Sequence, residues 1–381
     1  MLKIQPGSVA SPSAAPEPLA LARQIVAAIQ SAGGSLPFDQ FMALALYAPQ
    51  GGYYTRSSRQ FGAMPESGSD FITAPELSPL FGAALAMQVR QALLAADVSD
   101  VYEFGAGSGA LAEQLLDSLG ETCQKYFIVD LSGALRERQQ GRLQRFGARV
   151  SWLDALPDKM QGVVVGNEVL DAMPVQLLAF DGTQWFEREV ACGAGGNDQF
   201  IWRDRPTSLR PPRPDPAFAP GTVTEIHPQA EAFIRTLADH LERGAAFFID
   251  YGFPEAEYYH PQRTGGTLMC HRAHLADTNP LVDVGEKDIT SHVNFTGIAL
   301  AAQEAGLDVI GYTSQARFLL NCGLTDLLQG ADIRATAAAQ KLITEHEMGE
   351  LFKVIALGKG LTPYPQFSPI GFAAGDRTHT L

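Results

Sequence analysis

The chain has 381 residues, of which 46% are hydrophobic and 18% charged, and it carries a formal net charge of −14. That composition supplies a buried core and excludes a phosphate-backbone binder, since nucleic-acid affinity rests on neutralising phosphates with Lys and Arg; the acidic balance serves solubility first and a basic acceptor second. Four scattered cysteines (Cys123, Cys192, Cys270, Cys322) without a CxxC pair read as reduced thiols, and no apolar run reaches the roughly 20 residues of a membrane span, so a cytoplasmic location is expected.

Residues 1–17 form a Pro/Ser/Ala-rich tail without the marks of a secretory signal or transit peptide, expected to be disordered. A helical extension follows over 18–98. Its first helix is predicted at 19–32, apolar at helical spacing and stopped by Gly33 and Gly34. A second is predicted at 37–47, with Pro37 in the first turn. Residues 48–75 are a long irregular stretch rich in Gly and aromatics, and loops of that length inside a compact domain are usually functional. A helix is predicted at 76–96.

From residue 100 the pattern alternates between strand and helix. Strand-like runs lie at 101–104 (VYEF), 126–130 (YFIVD), 150–154 (VSWLD) and 162–166 (GVVVG), with helices at 108–119 and 131–146. Further strands are predicted at 245–252, 307–312 and 351–358, the first preceded by a helix at 228–243. The expectation is an α/β fold over 99–358: a Rossmann-type, seven-stranded, largely parallel sheet with helices on both faces. Inserts of α+β character are expected at about 180–227 and 253–300, and a C-terminal tail at 359–381.

The strand at 101–104 runs into Gly105-Ala106-Gly107-Ser108-Gly109 and then a helix. Glycines let the backbone approach a ligand with positive φ, and the helix start offers free N–H groups. In open α/β sheets that turn, at the carboxyl end of a strand, is where ligands bind. By itself the turn leaves a dinucleotide and S-adenosylmethionine equally open, since Gly105-x-Gly107-x-x-Ala110 also satisfies G-x-G-x-x-G/A. Asp130, at the end of the second strand, could hold ribose hydroxyls in either case.

Polar residues at neighbouring strand ends favour S-adenosylmethionine. Glu103 stands two residues before the first glycine, where methyltransferases place an acid towards the methionine end of the cofactor. Asp154, followed by Ala155, is positioned for an adenine amino group. The fourth strand ends in Asn167-Glu168-Val169-Leu170-Asp171-Ala172-Met173-Pro174. A lone Asp at a strand end is more often a helix cap; four such positions around one crevice are harder to explain that way.

Several blocks in this chain resemble the MidA-like family, which includes a mitochondrial protein arginine methyltransferase that acts in respiratory complex I assembly. They are Tyr47–Tyr54 (YAPQGGYY), Gly68–Ser78 (GSDFITAPELS), Glu103–Gly109, Asn167–Pro174, Ile249–Gly252, Gly266–Leu268, Asp288–Phe295 (DITSHVNF) and Met348–Lys353. GSDFITAPELS is the most specific, and the blocks run in the family's order from about 45 to 358. The turn departs from the family's usual Gly-Pro-Gly-Arg-Gly through Ala106 and Ser108, and the ribose acid is Asp130 where Glu is common.

The resemblance implies a methyltransferase using S-adenosylmethionine, with a protein arginine as acceptor and a respiratory complex I subunit as the type of partner. It places Thr73 and Glu76 near the site, Thr73 towards the cofactor and Glu76 towards the substrate, with Asp70 a weaker candidate. His292 and Tyr251 are expected to line the acceptor cleft. Both the sulfonium and a guanidinium are cationic, so carboxylates must offset their repulsion. Glu168 is expected to hold and polarise the acceptor with Asp171 assisting, both on one face if the segment is a turn of helix; a solvated loop acid and a helix cap are the plainer readings. Cys270, His271 and His274 lack a second ligand pair for zinc, so no metal is expected. His227 ranks below His292. The competing functions are a dinucleotide-dependent oxidoreductase and a non-catalytic assembly factor that binds S-adenosylmethionine. A homodimer is possible on the sequence alone.

Overall fold

The computed structural model describes residues 17–55, 72–130, 133–194, 199–272, 275–361 and 367–381. The tail at 1–16, most of the irregular stretch (56–71, including Asp70) and His274 lie outside the described residues.

Seven strands build the main sheet: β1 (Asp100–Phe104), β2 (Lys125–Val129), β3 (Val150–Leu153), β4 (Met160–Asn167), β5 (Leu241–Phe253), β6 (Asp308–Ser314) and β7 (Phe352–Lys359). Their order is β6-β7-β5-β4-β1-β2-β3. Strands β3 to β5 along this order are parallel, and β7 runs antiparallel to both β5 and β6. A two-residue strand, Val293–Asn294, pairs with the end of β5, so the sheet has eight strands rather than the seven expected.

The Val-rich run of β4 shows why this sheet is covered on both faces. Val163 and Val165 enter one buried cluster with Phe81, Leu85, Leu111 and Leu115, while Val164 enters the opposite one with Ile234, Leu237 and Ile298. Alternate side chains of a strand point to opposite faces, so a strand buried twice reads as a continuous apolar run. The first face is covered by α4 (Pro79–Ala96) and α5 (Ala110–Leu119); the second by α7 (Pro228–His240) and α8 (Phe295–Glu304). α6 (Gly133–Leu143) follows β2. Each fully buried Leu, Ile or Phe contributes about 1.5–3 kcal/mol.

The helix expected at 76–96 is two helices. A four-residue helix, α3 (Ala74–Leu77), ends at Ser78, whose backbone is extended and whose Oγ accepts from Leu80 N to cap α4. α1 (Glu17–Ser31) and α2 (Phe38–Tyr47) pack on a second, antiparallel sheet. That sheet comprises Gln176–Phe180, Trp185–Cys192, Phe200–Pro206, Val223–Ile226 and, from the N-terminal region, Leu36–Pro37. A three-stranded sheet, Met269–Arg272, Leu275–Asp277 and Asp288–Thr290, occupies the second insert. Within the segment read as a tail, Phe367 and Phe372 are buried in the main core and Asp376 accepts a hydrogen bond from Tyr312 N. Among the described residues no helix is long and apolar enough to cross a membrane.

Candidate active site

The chain runs from β1 to β2 and β3 on one side and resumes at β4 on the other, so a crevice opens between the ends of β1 and β4. A cavity of about 830 Å³ lies there. It is lined by Thr73, Glu76, Glu103, Gly105, Gly107, Asp130, Asn167, Glu168, Asp171, Tyr251 and His292, which the structure thus brings together from six separate segments.

At one end is the glycine turn. Gly105, Gly107 and Gly109 all have positive φ, and a Cβ on Gly105 would stand 3.1 Å from Val169 Cγ2. Gly109 caps α5 and does not line the cavity. Glu103 is 2% exposed and accepts from the Tyr126 hydroxyl at 2.7 Å. Burial pushes its pKa up to about 8 despite that bond. Asp130 accepts from Gln139 Nε2 at 2.8 Å, and the same amide nitrogen donates to Gly107 O. Gln139 in turn accepts from Trp152 Nε1, which ties the ends of β1, β2 and β3 together.

Two residues predicted for the cofactor fall elsewhere. Asp154 has a largely exposed side chain (87%) that pairs with Arg136 at 2.8 Å, and Ala155 is exposed; neither lines the cavity. The strand end that carries them bends towards solvent beyond β3. Glu76, expected at the substrate, contacts the glycine turn instead: it accepts from the Ser108 hydroxyl and from Arg142 at 3.2 Å.

At the other end lies a cluster of acids. Residues 168–173 form a turn and not a turn of helix, with Glu168 at φ 55. Three backbone N–H groups, of Val169, Leu170 and Asp171, converge on Asp250 Oδ2 at 2.9–3.2 Å and hold that turn open. Glu168 accepts from Asn167 Nδ2 at 3.0 Å and from Ala74 N. Burial, with the Asp171 charge beside it, pushes Glu168 up to about 8. Burial raises Asp171 to about 6 against the Tyr251 hydroxyl that donates to it, and drives Asp250 well above the carboxylate range. Asn167 Oδ1, Asp171 Oδ1 and His292 Nδ1 are buried without a hydrogen-bond partner among the described residues. His292 stacks on Phe253, and burial, reinforced by Arg263, pushes its pKa down to about 4, so the ring is neutral. His227, bonded to the Tyr258 hydroxyl, is a core residue.

Sequence reasoning did not single out Tyr47, Tyr54, Asp250, Asp288 or His271 as site residues. Tyr47 donates to Ala172 O and stacks on Tyr54, which donates to Asp288. All but Asp250 line the cavity, and Asp250 supports its floor. The signal for all of them except His271 was membership of the motif blocks; nothing in their spacing joins α2 to the end of β4.

A switch-point cavity with a glycine turn, a buried acid one strand-end away and a ribose-ready Asp defines a Rossmann-type enzyme that binds a nucleoside cofactor. The chain belongs to the family described as "putative S-adenosyl-L-methionine-dependent methyltransferase", whose model matches residues 83–313. It is 50% identical to a superfamily member from Burkholderia thailandensis, described as a "likely methyl transferase", whose crystal structure has S-adenosyl-homocysteine bound. That likeness covers 98% of this chain and 100% of the other, with a TM-score of 0.90. The mitochondrial protein arginine methyltransferase NDUFAF7 homolog of Caenorhabditis elegans is 24% identical over 91% of this chain and 88% of its own. Human NDUFAF7 is 25% identical over 85% and 80%. Family membership removes the dinucleotide reading of the turn.

The residues fit S-adenosylmethionine. The glycine turn leaves room that a Cβ would fill, Glu103 is a buried acid whose hydrogen bond from Tyr126 leaves it short of positive charge, and Asp130 is a carboxylate of the kind that accepts from hydroxyls. When bound, the cofactor supplies an electrophilic methyl group. Glu103 and the turn would hold and orient it, while the apolar walls would exclude water.

Proposed function

We propose that this methyltransferase acts on an arginine side chain of a partner protein. The observation that carries the reading is the set of buried acceptors at the far end of the cavity: Glu168, Asp171 and Asp288, with Asn167 Oδ1, Asp171 Oδ1 and His292 Nδ1 unpaired. Five N–H donors on a fixed cationic plane are what such a set matches. Burial and the neighbouring Asp171 favour the protonated form of Glu168; a guanidinium beside it favours the carboxylate form. Glu168 then orients the acceptor nitrogen, and Asp171, fixed by Tyr251 and the Asp250 turn, balances the second positive charge. The relatives named protein arginine methyltransferases support this reading at the family level.

A respiratory complex I subunit as acceptor is the finer proposal and rests on the family resemblance alone, whereas a cytoplasmic location rests on the scattered reduced cysteines and the N-terminal composition, and a homodimer on the sequence alone. The test is transfer of labelled methyl from S-adenosylmethionine to protein, with the modified residue identified by mass spectrometry. Label on arginine, lost in Glu168→Gln, supports the proposal. Label on lysine or a hydroxyl overturns the acceptor. Transfer absent throughout, with partner assembly intact in Glu168→Gln, favours the assembly-factor role.

A further inference from the structure

The cavity has two walls at its cofactor end. One is the glycine turn, fixed in the sheet through Gly105 N to Val129 O at 3.1 Å. The other is the segment Thr73–Glu76 at the start of α3, which belongs to no sheet and lies across from the turn. Side chains anchor this segment at three points: Ala74 N to the Glu168 carboxyl, Pro75 O to Gln114 Nε2 at 2.7 Å, and the Glu76 carboxylate.

The third anchor differs from the others because it joins one wall directly to the other. Glu76 accepts from Ser108 Oγ, inside the turn, and from Arg142 Nη1 at 3.2 Å. Arg142 Nη1 also donates to Ser108 Oγ at 2.6 Å, while its Nε donates to Glu113 at 3.1 Å. The Glu76 side chain is only 9% exposed and Ser108 is buried, while Arg142 is one-third exposed, so this is a partly shielded, charge-assisted cluster. The turn carries no cation of its own; α6 supplies one.

We propose that Glu76, Ser108 and Arg142 form a latch that sets the residence time of the cofactor. Held together, the two walls hinder the exit of a ligand of S-adenosylmethionine size, and the segment without sheet hydrogen bonds is the wall that gives. Release therefore breaks the Glu76 contacts and binding remakes them. Arg142 is a positioning residue, acting through Ser108 and Glu76. The proposal depends on the cofactor and not on the acceptor, so its failure and that of arginine transfer are separable.

The experiment is stopped-flow displacement of S-adenosyl-homocysteine from the full-length protein and from Glu76→Gln, Ser108→Ala, Arg142→Gln and Glu76→Gln/Arg142→Gln, beside thermal unfolding of each without ligand. The expected result is dissociation about tenfold to a hundredfold faster in Glu76→Gln and Arg142→Gln, the range for losing a charge-assisted hydrogen bond. The double variant is no faster than the faster single, and Arg142→Lys restores part of the loss. An ion pair with a structural role alone would lower the melting temperature and leave the dissociation rate unchanged, which overturns the proposal. Rates that multiply in the double variant overturn it too, because they show two independent contacts. Ser108→Ala removes one hydroxyl and keeps the test open if Arg142→Gln does not fold.

Discussion

Glu168 combines an acid in a partly apolar cavity with a backbone conformation that non-glycine residues adopt rarely, at φ 55. Strain of this kind persists where surrounding contacts over-determine it, here Glu168 N to Ile249 O and the N–H groups gathered by Asp250. Removing the charge and keeping the shape should spare cofactor binding. In Glu168→Gln, calorimetry is expected to show S-adenosyl-homocysteine affinity within about twofold of the parent, while methyl transfer falls about 10²–10³-fold, as for loss of a single electrostatic contact in a transition state. Asp250 separates charge from geometry. Its carboxyl is pushed well above the usual range by burial and by its Asp171 and Glu168 neighbours, while backbone N–H groups bond to both of its oxygens. Asp250→Asn keeps an acceptor for the turn's three N–H groups and should cost less than Asp250→Ala, which strands them at about 1–3 kcal/mol each. A melting temperature equally depressed in both variants would refute this. Acids at strand ends were legible in the sequence as a group. Which of them fills the cavity and which supports its floor was not, because that depends on backbone direction after the strand, and Asp154 shows the difference.

Among the elements, the boundary between α3 and α4 is the most instructive. A single helix over 76–96 satisfies the apolar spacing, yet Ser78 interrupts it with extended backbone. Pro79 has no N–H to lose at the first position of α4 and disfavours helical backbone in the residue before it. The break turns α3 back across the cavity, where Glu76 meets the glycine turn rather than the substrate. Ser78→Ala should cost about 1 kcal/mol through the lost cap and leave S-adenosyl-homocysteine affinity unaltered; a matching loss of affinity would mean that the break also shapes the site. The turn itself responds differently. Gly105→Ala adds a Cβ 3.1 Å from Val169 Cγ2 on a residue at φ 63. Calorimetry should show affinity weakened at least about tenfold, since strain of roughly 1–2 kcal/mol falls on the bound geometry.

Across the molecule, the cavity collects more acid than its walls can solvate. Glu103 and Glu168 are both raised to about 8, so the folded protein binds protons that the unfolded chain releases above about pH 4.5. Stability contributed by groups with raised pKa is present below the unfolded value and lost as pH rises through the folded one. The cofactor-free protein should therefore melt at progressively lower temperature between about pH 5 and pH 8, by a few degrees in all. S-adenosylmethionine, which brings positive charge to the same groups, should flatten that dependence. A melting temperature that rises over this interval would show that the acids are ionised and paired without the cofactor.

The sequence alone determined the class of fold, the order of its strands along the chain, the cofactor turn and the chemistry collected around it. Those features are local: a strand buried on both faces needs an unbroken apolar run, and a turn that admits a ligand needs glycine wherever φ is positive. The tertiary structure decided what the inserts do and which side chains meet. Leu36–Pro37 joins a sheet whose other strands lie more than a hundred residues away, Val293–Asn294 adds an eighth strand to the main sheet, and Arg142 reaches Glu76 across 66 positions. No periodicity encodes such contacts, because each is selected by the packing of two surfaces that the chain brings together only after both have formed.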